Sequence, residues 1–309
     1  MKMKLFFLLN MALIVTLFSS TSYVFQKPFN GLSYLEHHSN AYASSLGLSD
    51  FFNHHSSELM YLNASKLAFL SQDAFSFYHF KMIEANLTGL SLLRITPKKI
   101  ALALGIKFFN LQGFEETFFA ANQQLIRGST SSYKGLQVSF AASKVFFDRC
   151  SLGWRSQLSR EVLFGESQML LDHHLSLTYL DFYNYDIALV FDQLLPYLNQ
   201  WSGDKKTLYK PLIRTALFKQ FNPNFEGTFV YTFSDENIRC GIKYKPYSFI
   251  DFMFGFQTFS NVDRLNSEFI SVNLGMGLKL KDFYFSLSYA PKTFDVKLPL
   301  TKFSIDYIF

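Results

Sequence analysis

The chain has 309 residues, of which 49% are hydrophobic and 18% aromatic, with 38 phenylalanines. Its net charge of +5 is scattered rather than massed in a basic stripe, which argues against nucleic acid as a partner. The two cysteines, Cys150 and Cys240, are too few for a disulfide framework in an exported chain of this length.

Residues 1–22 carry Lys2 and Lys4, an apolar run from Leu5 to Phe18, and then Ser19, Ser20, Thr21 and Ser22. This is the pattern of a signal peptide, with cleavage expected after Ser22. An uncleaved anchor would call for a longer apolar run, of ~20 residues. No later run reaches the length of a membrane helix. The apolar side chains therefore belong either to the core of a secreted soluble domain or to strands that face lipid at every second position.

Residues 23–73 precede the first strand, and within them 41–72 reads as short helices or tight packing. From residue 74 onward the apolar period is two. Ile100, Leu102, Leu104, Ile106 and Phe108 alternate with Ala101, Ala103, Gly105 and Lys107. Val272, Leu274, Met276, Leu278 and Leu280 alternate with Ser271, Asn273, Gly275, Gly277 and Lys279. Such alternation argues for strands with one apolar face. Small residues opposite large apolar ones fit a barrel with hydrocarbon outside, whereas a soluble sandwich would carry more charge on its exposed face.

The predicted strands are 74–83, 86–95, 99–110, 134–147, 150–163, 173–182, 186–194, 209–221, 227–234, 238–245, 248–259, 268–280, 283–290 and 301–309. The fold expected is all-β: a transmembrane antiparallel up-and-down β-barrel of about 14 strands over 74–309, with 23–73 as a periplasmic segment and luminal hatch. Alternation is weakest in the first two strands and in 150–163, where it fails part-way. With both termini periplasmic, the long connections 111–133, 164–172, 195–208, 260–267 and 291–300 all fall on the outer side, as barrels of this kind require. The same topology puts Cys150 at the periplasmic rim and Cys240 near the outer rim, so two free thiols are expected. At the C-terminus Phe303, Ile305, Tyr307 and Phe309 alternate with Ser304, Asp306 and Ile308. They resemble the terminal strand by which bacterial barrels are recognised by their assembly machinery.

The histidine pairs His37/His38, His54/His55 and His173/His174 invite a metal reading. Adjacent residues on a strand point to opposite faces, so no pair presents two ligands to one site, and no metal is expected. Serines are plentiful, but none is marked as a nucleophile, so no catalytic residue is named and no enzyme activity is expected. No glycine-rich phosphate loop is present, and no cofactor is implied. Most aromatics read as lipid-facing or interfacial residues. Those outside the strands, Phe51, Phe52, Tyr61, Phe69, Phe114, Phe118 and Phe119, are the candidates for a hydrophobic ligand site. Packing of the segment against the wall explains them equally well.

The segment with Ala41, Ser44, Leu46, Gly47 and Asp50, followed by Asn63 to Leu67, resembles the start of the FadL-like outer-membrane family. There an Asn-Pro-Ala-Gly-Leu motif precedes the first strand. Gly47, Asn63 and Leu67 keep the pattern, while Ala64 and Lys66 stand where that family has Pro and Gly. Toward the C-terminus Lys243, Tyr244, Pro246, then Leu274, Gly275, Gly277, Leu278, Lys279, and Ser288, Tyr289, Ala290 extend the likeness, including to PorV-like members. The resemblance implies a 14-stranded barrel whose N-terminal segment folds into the lumen. It also implies passive uptake of hydrophobic small molecules such as fatty acids across the outer membrane. The alternative is a non-transporting platform, PorV-like, for secretion or surface assembly. The partners implied are outer-membrane lipid, the barrel-assembly machinery, a hydrophobic small molecule and, for the alternative, a surface or secretion protein.

Overall fold

The computed structural model describes residues 40–309 apart from 53–55, 82–84, 120–124, 164–165, 195–196, 201–211, 234–235, 260–268 and 291–299. Among the described residues three short helices come first: α1 (Ala41–Ser45) and the 3-10 turns Ser57–Tyr61 and Ala64–Phe69. The strands follow as β1 (Ala74–Lys81), β2 (Ala85–Ile95), β3 (Ile100–Phe119), β4 (Leu125–Phe146), β5 (Cys150–Leu163), β6 (Glu166–Phe182), β7 (Tyr185–Asp192), β8 (Tyr197–Gln200), β9 (Leu212–Asn222), β10 (Phe225–Thr232), β11 (Asn237–Tyr247), β12 (Ile250–Phe259), β13 (Phe269–Leu280), β14 (Phe283–Ala290) and β15 (Leu300–Ile308). No helix among the described residues is long and apolar enough to cross a membrane.

Every strand pairs antiparallel with its neighbour, and β1 pairs with β15, Ala74 lying opposite Ile308. With β5 also paired to β6, the sheet closes into a ring of 14 strands, and β8 adds to the extension of β6 outside the ring. Closure leaves the wall no unpaired edge.

The alternation of the sequence becomes the two faces of the wall. On β3, Leu104, Ile106 and Phe108 are exposed, whereas Ala101, Ala103, Lys107 and Phe109 are buried. On β12 and β13, Phe252, Phe254, Leu274 and Met276 point out while Asp251, Met253, Ser271 and Asn273 point in. An exposed band of Leu, Ile and Phe around a closed barrel is the surface that a bilayer covers. A soluble sandwich is excluded, because one ring of strands encloses one polar interior.

One rim carries tight turns. Tyr183 and Asn184, between β6 and β7, both adopt left-handed φ (51° and 66°), the pair of conformations a two-residue hairpin needs to follow the strand twist.

Two of the expected outer connections differ from the sequence reading. The stretch 111–133 is no single loop: β3 runs to Phe119 and β4 starts at Leu125, so the two strands continue as a ribbon above the level where β2 and β5 leave them. Register shifts at Gln112/Phe114 and Glu115/Thr117 break the period of two there, which hides the strands from a pattern search. Likewise β6 begins at Glu166, so 166–172 of the expected connection 164–172 is strand. On β5, Leu152, Trp154, Leu158 and Arg160 do point outward together; the outward Ser156 and Arg160 are what weaken the pattern. Both cysteines are free, Cys150 where β5 leaves its turn and Cys240 toward the opposite end of the wall.

Candidate functional site

The site is the barrel interior, where the stretch 40–70 packs against inward-facing wall residues. Its local structure follows from short polar residues that cap short turns. The Asn40 side chain accepts from Ala43 N–H (2.9 Å) at the start of α1, and the Ser56 hydroxyl accepts from Glu58 N–H (3.2 Å). Gly47 (φ +62°) and Leu48 (φ 60°) then turn the chain back in left-handed conformations. At Gly47 an added Cβ would lie 2.8 Å from the carbonyl oxygen of Phe256, and one on the facing Gly255 would lie 2.1 Å from Gly47 N. Both positions need glycine for close approach.

Apolar contacts hold the segment in separate patches. Leu59, Met60, Tyr61, Ala64, Leu67 and Leu70 pack with Leu93, Ala101, Ala103 and Ala141 of the wall. Phe51 and Phe52 pack with Ala43, Leu62, Ala188, Val190, Ala216 and Val230, and Tyr42 and Leu46 with Met253 and Tyr284. Phe69 is half-buried, with Lys66 Nζ 5.6 Å from its ring centre. The aromatic residues singled out from sequence are thus not gathered into one pocket: Phe51 and Phe52 share a cluster, Tyr61 belongs to another, and Phe69 is apart. Phe114, Phe118 and Phe119 lie on the extension of β3, and their side chains fall outside the described residues.

Between the patches runs a polar network. Asn63 Nδ2 donates to Phe51 C=O (3.0 Å) and to Thr178 Oγ1 (2.9 Å), and Leu67 is fully buried. Arg155 Nη1 donates to Tyr61 C=O (2.6 Å) and Arg155 Nη2 to His174 Nε2 (2.7 Å). A guanidinium can only donate, so His174 accepts there and donates from Nδ1 to Asp192 Oδ1 (2.6 Å). Asp192 also pairs with Arg214. Lys107 Nζ sits 3.5 Å above the Tyr61 ring. From β15, Lys302 donates to Ser44 Oγ (2.6 Å), and Asp306 accepts from Ser56 (2.7 Å) and from Ser76 of β1. Burial of Glu58 lifts its carboxyl to about 7, against the opposing pull of Lys107 and the Ser91 hydroxyl. Burial likewise lowers the Lys66 ammonium, against the attraction of Asp186 and Asp50.

Sequence reasoning missed Arg155, Asp192, Lys243, Lys302 and Asp306. All occupy the small or polar parity of their strands, so strand parity alone would have placed them inside. His173 and His174 do point to opposite faces, His173 stacking outside on Trp154 (5.8 Å between ring centres) and His174 facing in. Among the described residues no cluster of three metal-ligating side chains occurs.

Nearly all of the described residues of 40–70 are buried against the wall. A cavity lined by Tyr42, Leu46, Asp50, Phe52, Phe218, Glu226, Thr228, Gly241 and Lys243 has a volume of about 10 Å³, room for about one water molecule.

No family model matches the chain, and no curated protein matches it. Solved structures do. The CymD monoaromatic hydrocarbon channel superposes with a TM-score of 0.63 at 13% identity over 88% of this chain and 98% of that one. The P. putida toluene transporter TodX gives 0.58 at 11% identity, over 82% and 94% of the two chains. A Pseudomonas aeruginosa FadL homologue gives 0.57 at 9% identity, over 87% and 98%. At these identities the likeness is one of fold: the chain is a closed 14-stranded barrel of the FadL type.

Proposed function

We propose that this barrel lies in the outer membrane, reached by way of the signal peptide 1–22, and lets hydrophobic small molecules cross passively, with 41–72 as a hatch that must shift for passage. The observation that carries the reading is the filled interior. A wall of 14 strands encloses a lumen that the N-terminal stretch occupies through small, separate apolar and polar contacts. Solved barrels of the same fold bear names that describe them as channels for monoaromatic hydrocarbons and as toluene transporters, which supports a hydrophobic cargo for this chain too. Passage needs no turnover chemistry.

The test is uptake of a fluorescent long-chain fatty acid and of radiolabelled toluene into liposomes holding the refolded protein. Uptake above empty liposomes supports the reading. Uptake of both solutes no faster than into empty liposomes sinks it and favours the second reading, a non-transporting platform for a secretion or surface protein. That second reading draws on the close packing of the described stretch 40–70 inside the wall and on the β3–β4 ribbon that rises above its neighbours.

A further inference from the structure

The lipid-facing side of the wall changes character at β5 and β6. Leu104, Phe140, Ser156 and His173 stand opposite one another on β3, β4, β5 and β6, one outward row across four strands. Half of that row is apolar and half is polar. Across the barrel, the middle of β13 and β14 turns Leu274, Met276 and Leu287 outward, all apolar and exposed. On β4 the outward Lys134 and Lys144 mark the two edges of the belt, and Phe140 lies between them. Ser156 and His173 therefore sit near the middle of the hydrocarbon layer.

A polar side chain at that depth is costly unless it finds a hydrogen-bond partner. His173 stacks on the outward Trp154, and its Nδ1 is buried with no hydrogen-bond partner among the described residues. A half-turn of the ring about its Cβ–Cγ bond keeps the stack and brings the nitrogen to the open side. By contrast His79, close to the outer end of β1, has its Nδ1 3.0 Å from Thr88 Oγ1.

Bilayer lipids carry their hydrogen-bonding groups at the two surfaces of a core ~30 Å thick, far from its middle. A second copy of the chain carries one at the right depth. Two identical barrels paired about an axis along the bilayer normal present every residue at equal height. The face also suits close approach. Ser156 is small and lies among the outward Phe140, Trp154 and Leu158, and small residues with a polar group are what helps surfaces associate within lipid. Behind it Ser65 N–H donates to Ser176 Oγ and Ser151 Oγ donates to Ser65 C=O (2.8 Å each). This backing fixes the face before it meets a partner.

We propose that the outward face of β4–β6 is a pairing surface for a second copy of this chain. His173 of each barrel bonds the partner's Ser156 inside the hydrocarbon, with Phe140, Trp154, Leu158 and Leu171 packed around the pair. The pairing needs the belt to lie in a bilayer and is independent of any cargo.

The test is energy transfer between donor- and acceptor-labelled full-length chains in liposomes at rising lipid dilution, with heat-modifiable gel mobility to show that each variant is folded. The wild-type curve is expected to fit a dimer. H173L is expected to raise the dissociation constant at least about fivefold, and H79L to leave it unchanged. Transfer no greater than random mixing in the wild type, an H173L dimer as tight as the wild type, or an equal loss with H79L overturns the pairing. The face is checked by oxidation in a C150S/C240S background, where L158C is expected to give linked dimers and L274C, across the barrel, none. No dimer with the first, or as much with the second, overturns the assigned face. A monomer that retains lipid through purification, and loses it in H173L, would give the site to a lipid and overturn the pairing as well.

Discussion

Arg155 links the wall to the inner stretch and to the Asp192 cluster at once, and both ends of that link are buried. Arg155→Ala leaves the Tyr61 carbonyl, His174 and Asp192 short of a donor in a buried site, so a loss on the order of 3 kcal/mol is expected. The check is the urea midpoint of folding in detergent, compared with exposed Arg160→Ala, which is expected to move it little. Glu58 gives the interior a pH dependence. Its carboxyl is raised from 4.5 to about 7, so the docked stretch binds a proton more readily than the undocked one. Docking is therefore at full strength below about pH 4.5 and weakens as pH rises through about 7. Protease cleavage within the stretch is expected to speed up between pH 5 and 8, and Glu58→Gln to flatten that profile. A profile that Glu58→Gln leaves unchanged would assign the dependence elsewhere.

At the scale of elements, fit between stretch and wall depends on what the strands omit. On β5, a Cβ at Gly153 would fall 2.2 Å from Ser65 N, in contact with main chain rather than with a yielding side-chain tip. Gly153→Val is therefore expected to leave the barrel folded, with heat-modifiable gel mobility intact, while displacing 64–66 and exposing Lys66 to trypsin. The strands themselves were legible because a lipid-facing side and a packed side impose a period of two, and 14 strands were read correctly where that period holds. It failed on the β3–β4 ribbon, where bulges shift the parity and no bilayer enforces the pattern. The inner contacts were less legible. Phe51 and Tyr61 read alike as aromatic residues outside strands, yet their patches are set by Ala188, Ala216, Ala103 and Ala141, all far away in sequence, and no local spacing encodes such pairings.

For the whole molecule, the exposed Leu, Ile and Phe band predicts how it answers to charge. Leu274→Arg, on the outward face of β13, is expected to cost ~2–4 kcal/mol of folding free energy in bilayers. Lysine at outward Leu280, near the tight-turn rim, is expected to cost far less, and equal penalties at the two sites would contradict the assigned orientation of the belt. The class of fold was open to reading because it is a statement about periodicity. The cargo was not, since it depends on the shape and volume of the interior, and no run of residues states a volume. The meeting of β1 with β15 bears on kinetics as well. Ala74 and Ile308 are neighbours in the wall and all the other strands lie between them in sequence, so this pairing carries the largest loop-closure entropy and is expected to form late in folding. Ser56 bonds Asp306 of the last strand and lies 3.1 Å from Ser76 of the first, so the final zipping of the cylinder and the capture of the stretch inside it are expected to be one step. Refolding followed by a reporter on β1–β15 and by another at Ser56 should then show a single rate, and Asp306→Asn should slow both together.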